Sequence, residues 1–394
     1  MQDDWSRRRL PLTCGATALA GCNSGGTNEN TDPNATWSTF GFDSANTGYS
    51  PDATIPSSSD DPEWTVPLGG YPYTSPIAGD DAVVVGSESN GIESFETASG
   101  KLLWRTPVDG IPAGTPAIEN EDVFVTVDTR LNDDGGAFVR ALDLNTGSER
   151  WRTRVADEAA FAPTVSGESL YVRTTTALHA LDRTDGSVRW SVTDRPTFAP
   201  EDYDVTTDIA PAVANGTVYA PDPEGLVAID ASSGSVEWEV QTTKIRSAPA
   251  VDADRVYLAD VSDGVYALDR RDGRELWSWN ASGCWTSPAV EADRVYVTAG
   301  FDVAALDATD GSESWRTESD DGLHGDVYAS PAVGREGLVV GSIERTVAVI
   351  REPGTVIWED PDGGTRTSPA VADGRVYVIR QGSSTERPSL VAFE

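Results

Sequence analysis

The feature that most limits what this 394-residue chain can become is that it repeats itself. A segment Ala-Leu-Asp-x-x-x-Gly-x-x-x-Trp runs from Ala141 to Trp151, Ala180 to Trp190, Ala228 to Trp238 (with Ile229 for Leu), Ala267 to Trp277 and Ala305 to Trp315. Degenerate copies span Ser94 to Trp104 and Ala348 to Trp358. A Ser/Thr/Ala-Pro step recurs with them, at Pro76, Pro116, Pro163, Pro211, Pro249, Pro288, Pro331 and Pro369. The intervals are 40, 47, 48, 38, 39, 43 and 38 residues, so the chain holds eight units and not a few unrelated domains.

Each unit reads as four short strands. An alternating run such as Ala289 to Val297 follows the proline; then come a polar turn, an apolar run ending in Leu-Asp, and a strand carrying Trp. In the Asp-x-x-x-Gly turn the glycine supplies positive φ and the Asp can accept from backbone N–H groups two residues on. Four antiparallel strands per 40-residue unit make a propeller blade. The expected fold is all-β, an eight-bladed β-propeller of four-stranded antiparallel blades. Trp64, Trp104, Trp151, Trp190, Trp238, Trp277, Trp315 and Trp358 are expected to dock between neighbouring blades, where an indole buries a large area. The last unit, Thr367 to Glu394, lacks its Trp strand, while an unpartnered one, Glu63 to Leu68, precedes the first unit. The N-terminal Trp64 strand should therefore complete the eighth blade and remove the free edges of an open ring.

These repeats resemble the pyrroloquinoline quinone (PQQ) repeat family of eight-bladed propellers. Ala141 to Trp151 is similar to that family's tryptophan-docking motif, and Trp37 to Pro51, WSTFGFDSANTGYSP, to its usual lead-in. The resemblance covers residues 37–394, a single propeller with a lead-in over 37–63. It implies a fold and leaves two activities open. One branch contains quinone-dependent dehydrogenases with calcium beside PQQ, a catalytic Asp and an adjacent Cys-Cys pair. The other contains non-catalytic members such as the lipoprotein subunit of the outer-membrane β-barrel assembly machine. This chain has no Cys-Cys and no Cys-x-x-Cys-His, so the expectation is no catalytic, cofactor or metal residue, with PQQ and calcium only under the dehydrogenase alternative. The string Asp202 to Asp208 lacks the Gly and closing Glu of an EF-hand loop and reads as a solvated acidic loop.

Charge restricts the partners. Sixty-four Asp+Glu stand against 29 Lys+Arg, a net −35, which argues against nucleic acid and anionic membrane surfaces. Only Lys101 and Lys244 are lysines. So large a like-charge excess suits a high-salt, haloarchaeal source, since molar salt shortens the Debye length to about 3 Å.

Residues 1–21 read as a Tat-type lipoprotein signal: Arg7, Arg8 and Arg9, a short apolar stretch, then Leu19-Ala20-Gly21-Cys22, with Cys22 as the lipid-attachment residue. Residues 22–36 are polar and read as a tether. The protein is then expected to be exported, lipid-anchored and monomeric, facing outside. Cys284 would be a small buried residue and His179 a strand residue without chemistry. Asn34, Asn215 and Asn280 head glycosylation sequons.

Loops joining each Trp strand to the next Pro strand emerge on one face and carry the least repetitive residues. Tyr73, Phe161, Lys244, Arg246, Trp285, His324, Tyr328 and Arg366 form the expected ligand or partner face, with the three cations able to meet an anionic group. The long loop from Thr193 to Ile209 and the insertion from Asp128 to Ala137 add recognition elements. The expected role is a non-catalytic, surface-anchored module binding envelope or extracellular proteins; the alternatives are a PQQ-dependent dehydrogenase with an atypical pocket and an extracellular small-ligand sensor.

Overall fold

The computed structural model describes residues 36–57, 61–79, 81–129, 135–157, 159–193, 195–198, 208–242, 244–317, 323–350, 354–360, 363–382 and 386–394. The signal segment, Cys22 and the tether up to residue 35 lie outside them, as do the middle of the 128–137 insertion and residues 199–207 of the longest loop.

The described strands form eight antiparallel sheets, one per sequence unit. Blade 1 is typical: Ile77–Ala78, Ala82–Ser87, Gly91–Glu96 and Leu102–Thr106 run as a meander from the axis outward. Blades 2 to 7 follow along the chain, blade 2 gaining a fifth strand at Ile111–Pro112. Blade 8 has its three inner strands, Ala370–Ala372, Arg375–Arg380 and Ser389–Phe393, from the C-terminus, and its outer strand, Trp64–Pro67, from the N-terminus. The register is Trp64 opposite Ala392 through Pro67 opposite Ser389. The closure expected from the missing Trp strand is therefore the one the chain uses.

No single core holds this ring. The apolar clusters straddle neighbouring blades: one joins Tyr257 and Trp277 of blade 5 to Val295 and Leu306 of blade 6, the next joins Tyr296 and Trp315 of blade 6 to Val333 and Leu338 of blade 7. Each blade is stabilised by the two it touches, as in other repeat architectures.

The repeated motif makes these seams. Trp277 donates its indole N–H to the Ala308 carbonyl of the next blade at 3.0 Å, Trp190 to Ala231 at 3.0 Å, and Trp238 to Arg270 at 3.2 Å. Its ring lies on the motif glycine of that next blade. A Cβ on Gly311 would stand 2.5 Å from Trp277, and Gly234 and Gly273 meet Trp190 and Trp238 in the same way. Turn glycine and Trp are therefore one device: positive φ shapes the turn, and the missing side chain leaves room for the indole. The motif Asp completes the turn, as at Asp230, whose Oδ1 accepts the N–H groups of Ser232 and Ser233. Behind six of the eight rings sits an aromatic from the same blade, such as Tyr257 against Trp277 at 5.9 Å between centroids, whereas Trp358 of blade 7 meets Phe393 of blade 8.

Candidate functional site

In a four-stranded meander, the loops between blades and the hairpins joining second to third strands share one end of the ring, here the loop face. The Asp-x-x-x-Gly turns occupy the other. The axis between these faces is built from two elements, the lead-in, which the repeats do not contain, and the Ser/Thr/Ala-Pro step that each repeat supplies.

The first is the lead-in. Trp37 pairs with Ala78 of blade 1, and the Ser38 carbonyl accepts from Ile118 of blade 2. Ser44, Ala45, Thr47 and Gly48 then offer carbonyls to Val213, Val251, Val290 and Val333 of blades 4 to 7, at 2.5 to 2.9 Å. This belt crosses the turn-face end of the axis. Asn46, at φ +53° and buried, donates its amide to the carbonyls of Ala210, Pro211 and Pro249. Asp43 stiffens the belt by accepting from Ala45 and Thr47, and burial raises its carboxyl to about 6.

The second is the ring of residues preceding the eight prolines. The N–H of Ala248 donates to Ser287 Oγ, Ser287 to Ser330, Ser330 to Ser368, Ser368 to Ser75 and Ser75 to Thr115, each at 2.9 to 3.0 Å. The other three positions are alanines, Ala162, Ala210 and Ala248, and Phe40 of the belt packs on all three. The Ser/Thr-versus-Ala variation at this step thus records which side of the axis carries Phe40. Where the hydroxyls stop, Asp208 takes over: Oδ1 accepts from Thr115 N–H and Oδ2 from Ser75 Oγ, both at 2.8 Å, and burial raises its pKa. This corrects the solvated reading of the 202–208 string at its one described member. The carboxylate turns inward because it replaces a missing hydroxyl.

A clamp between blades 3 and 4 holds the start of the same loop. Arg173, fully buried, pairs with Asp222 at 2.9 Å, donates to the Pro196 carbonyl and lies 5.0 Å over Phe198; Arg195 grips the other Asp222 oxygen. Phe198 in turn packs on Phe161 and Ile209. Phe161 is therefore core, 4% exposed, and offers no ring to a partner.

The remaining expected residues do lie on the loop face. Tyr73 stacks on Tyr71 at 5.2 Å. The Lys244 N–H donates to Asp260, anchoring its loop to blade 5. Arg246 lies 5.4 Å over the ring of Trp285, which is 39% exposed, and Arg366 lies 4.9 Å over Tyr328. His324 lines a separate cleft of about 600 Å³, with the exposed Phe301 and Arg316. Sequence reasoning missed Phe301, Arg316 and Trp279; the hairpin position of Phe301, where a polar residue is expected, was the available signal. Cys284 is buried, with its thiol pushed up to about 12, and His179 is buried against Ser191 with its pKa lowered to about 4 by burial.

Between belt and proline ring the axis leaves about 10 Å³, room for one water and not for a quinone. Among the described residues no group of three or more His, Cys, Asp or Glu converges to hold a metal, and both oxygens of Asp208 are engaged within the protein.

A family profile described as PQQ_2, outer membrane protein assembly factor BamB, matches residues 52–135, 127–248, 241–302 and 299–394. The chain belongs to this family. It superposes on BamB from Moraxella catarrhalis with a TM-score of 0.67 at 18% identity, covering 84% of this chain and 99% of that one. A europium-containing methanol dehydrogenase gives 0.73 at 15%, covering 92% and 98%; the quinohemoprotein alcohol dehydrogenase of Comamonas testosteroni gives 0.70 at 15%, covering 91% and 80%. At such identities these structures share the fold. No curated protein matches in sequence.

Proposed function

We propose that this PQQ-repeat propeller is a non-catalytic scaffold of the cell envelope that docks other proteins on its loop face, held at the membrane by a lipid on Cys22. The observation that carries the reading is the Arg246–Trp285 stack with the Arg366–Tyr328 stack beyond it, supplied by four successive inter-blade loops. Trp, Tyr and Arg are the residues that dominate binding energy at protein interfaces. Membership in the BamB family supports an envelope-assembly role over a dehydrogenase one. The belt and the 37–394 propeller form the working unit in this reading, with residues 1–21 removed on export.

Cross-linking in native envelopes tests it: wild-type protein is expected to capture defined partners that Trp285→Ala and Arg246→Ala lose, with unchanged thermal stability. Capture that survives both substitutions overturns the docking face. Detergent partition of Cys22→Ser tests the anchor. Incubation with PQQ and calcium is expected to give no dye reduction with alcohols or sugars; turnover would restore the dehydrogenase reading.

A further inference from the structure

We propose that the cleft formed by blade 6 and the loops that join it to blades 5 and 7 binds a neutral saccharide. Its volume, about 600 Å³, lies within the range of small-ligand sites. Its lining shares no residue with the proline ring or with the Arg246–Trp285 stack, beside which it opens on the same face.

Two features of its lining select the ligand class. The first is an aromatic platform, Phe301, which is 56% exposed on the blade 6 hairpin. The neighbouring Gly300 has nothing within 4 Å of where a side chain would begin. The second is a balanced set of donors and acceptors. Arg316 rests on the ring of Trp279 at 5.1 Å and is paired with Glu313 at 2.8 Å and Asp302 at 3.5 Å. With two carboxylates beside one guanidinium, an anionic ligand gains little, and Asp302 is repelled by one. A cation meets Arg316. A wholly apolar ligand would strip water from Asn280, Asp302 and His324 without replacing its hydrogen bonds, which is costly. What satisfies both features is a neutral ring with one C–H face for Phe301 and a rim of hydroxyls for Asn280, Ser282, Asp302, Arg316 and His324. A pyranose has that chemistry.

Asn280-Ala281-Ser282 is also a sequon on the cleft's edge, and a glycan there would fill the site. The test therefore uses full-length protein from a host without N-glycosylation. Glucose, galactose, mannose, N-acetylglucosamine, maltose and cellobiose are titrated by calorimetry and by saturation-transfer NMR, with glucuronate and glucosamine as charged controls. At least one neutral sugar is expected to bind with a dissociation constant at or below the millimolar range. Phe301→Ala should weaken it about tenfold or more, and Asp302→Asn by less, while the unfolding midpoint of both variants stays at the wild-type value. No binding by any neutral sugar overturns the proposal; so does binding that survives Phe301→Ala, or a charged control that binds more tightly. Because partner capture is read at Trp285, the docking reading and this one fail separately.

Discussion

The seam between blades 5 and 6 and the seam that closes the ring use the same chemistry with different suppliers. At the first, Trp277 lies on Gly311 and donates to Ala308, all within one stretch of chain. At the closing side of the ring, Trp358 of blade 7 meets no repeat turn of blade 8 among the described residues. Its indole N–H instead donates at 2.7 Å to the Pro56 carbonyl, brought from the opposite terminus, and Trp64 supplies the missing strand. Trp37, Ala53, Ile55, Trp64 and Leu68 then join Trp358 of blade 7 and Tyr377 and Phe393 of blade 8 in one cluster across blades 7, 8 and 1. The comparison teaches that seven blades can be specified locally, whereas the ring depends on an N-terminal segment finding a C-terminal blade. That pairing carries a loop-closure cost that ordinary seams do not.

Deleting residues 61–68 should have the largest effect: blade 8 loses its outer strand and an indole, and cooperative thermal unfolding by circular dichroism should disappear. A transition retained near the wild-type midpoint would show that closure is dispensable. Next in size, Trp277→Ala should cost about 3–5 kcal/mol in denaturant titration, the usual loss for a buried indole. Gly311→Ala should cost about 3 kcal/mol, combining left-handed strain with overpacking against Trp277. Gly167→Ala, at φ +59° with nothing within 4 Å, should show the strain alone, about 1 kcal/mol. Equal costs at both glycines would mean that the indole contact adds nothing.

The smallest effects separate belt from turn by the sign of their pH dependence. Folded Asp43 keeps its proton up to about pH 6, whereas the unfolded chain releases it near pH 4. The folded state binds more protons in that window, so Asp43 costs stability as pH rises through it, and Asp43→Asn should gain on wild type between those values. Asp230 is the reverse. Hydroxyl hydrogen bonds from Ser232 and Ser233 hold it down to about 2, so its contribution is present above pH 4 and lost as pH falls towards 2. Asp230→Asn should be the weaker variant at neutral pH, with the difference shrinking as pH falls towards 2. Urea midpoints across this range decide both, and slopes of the same sign would contradict the contrast.

The blades were readable because everything that makes one lies inside about 40 residues: alternation for strands, Asp and Gly for the turn, Trp for the seam. Even the closing strand was legible, as a Trp strand without a blade beside a blade without its Trp strand. The candidate site was read less well. Arg246, Trp285, Tyr328 and Arg366 stand on the expected face because inter-blade loops must emerge there. Phe161 was misplaced because a loop aromatic looks the same in sequence whether or not a second aromatic, Phe198, covers it. The Phe301 cleft went unread because blade 6 and the loops on either side of it build it together and none of these repeats its residues.

By itself, then, the sequence determined the number of blades, the composition of each seam and the means of closure, since periodic local signals add up along the chain. Only the tertiary structure decided what fills the axis. Phe40 on three alanines, Asn46 on three carbonyls and Asp208 in place of a hydroxyl are each single events, made by residues that meet once the ring has closed, and a period cannot announce what occurs only once.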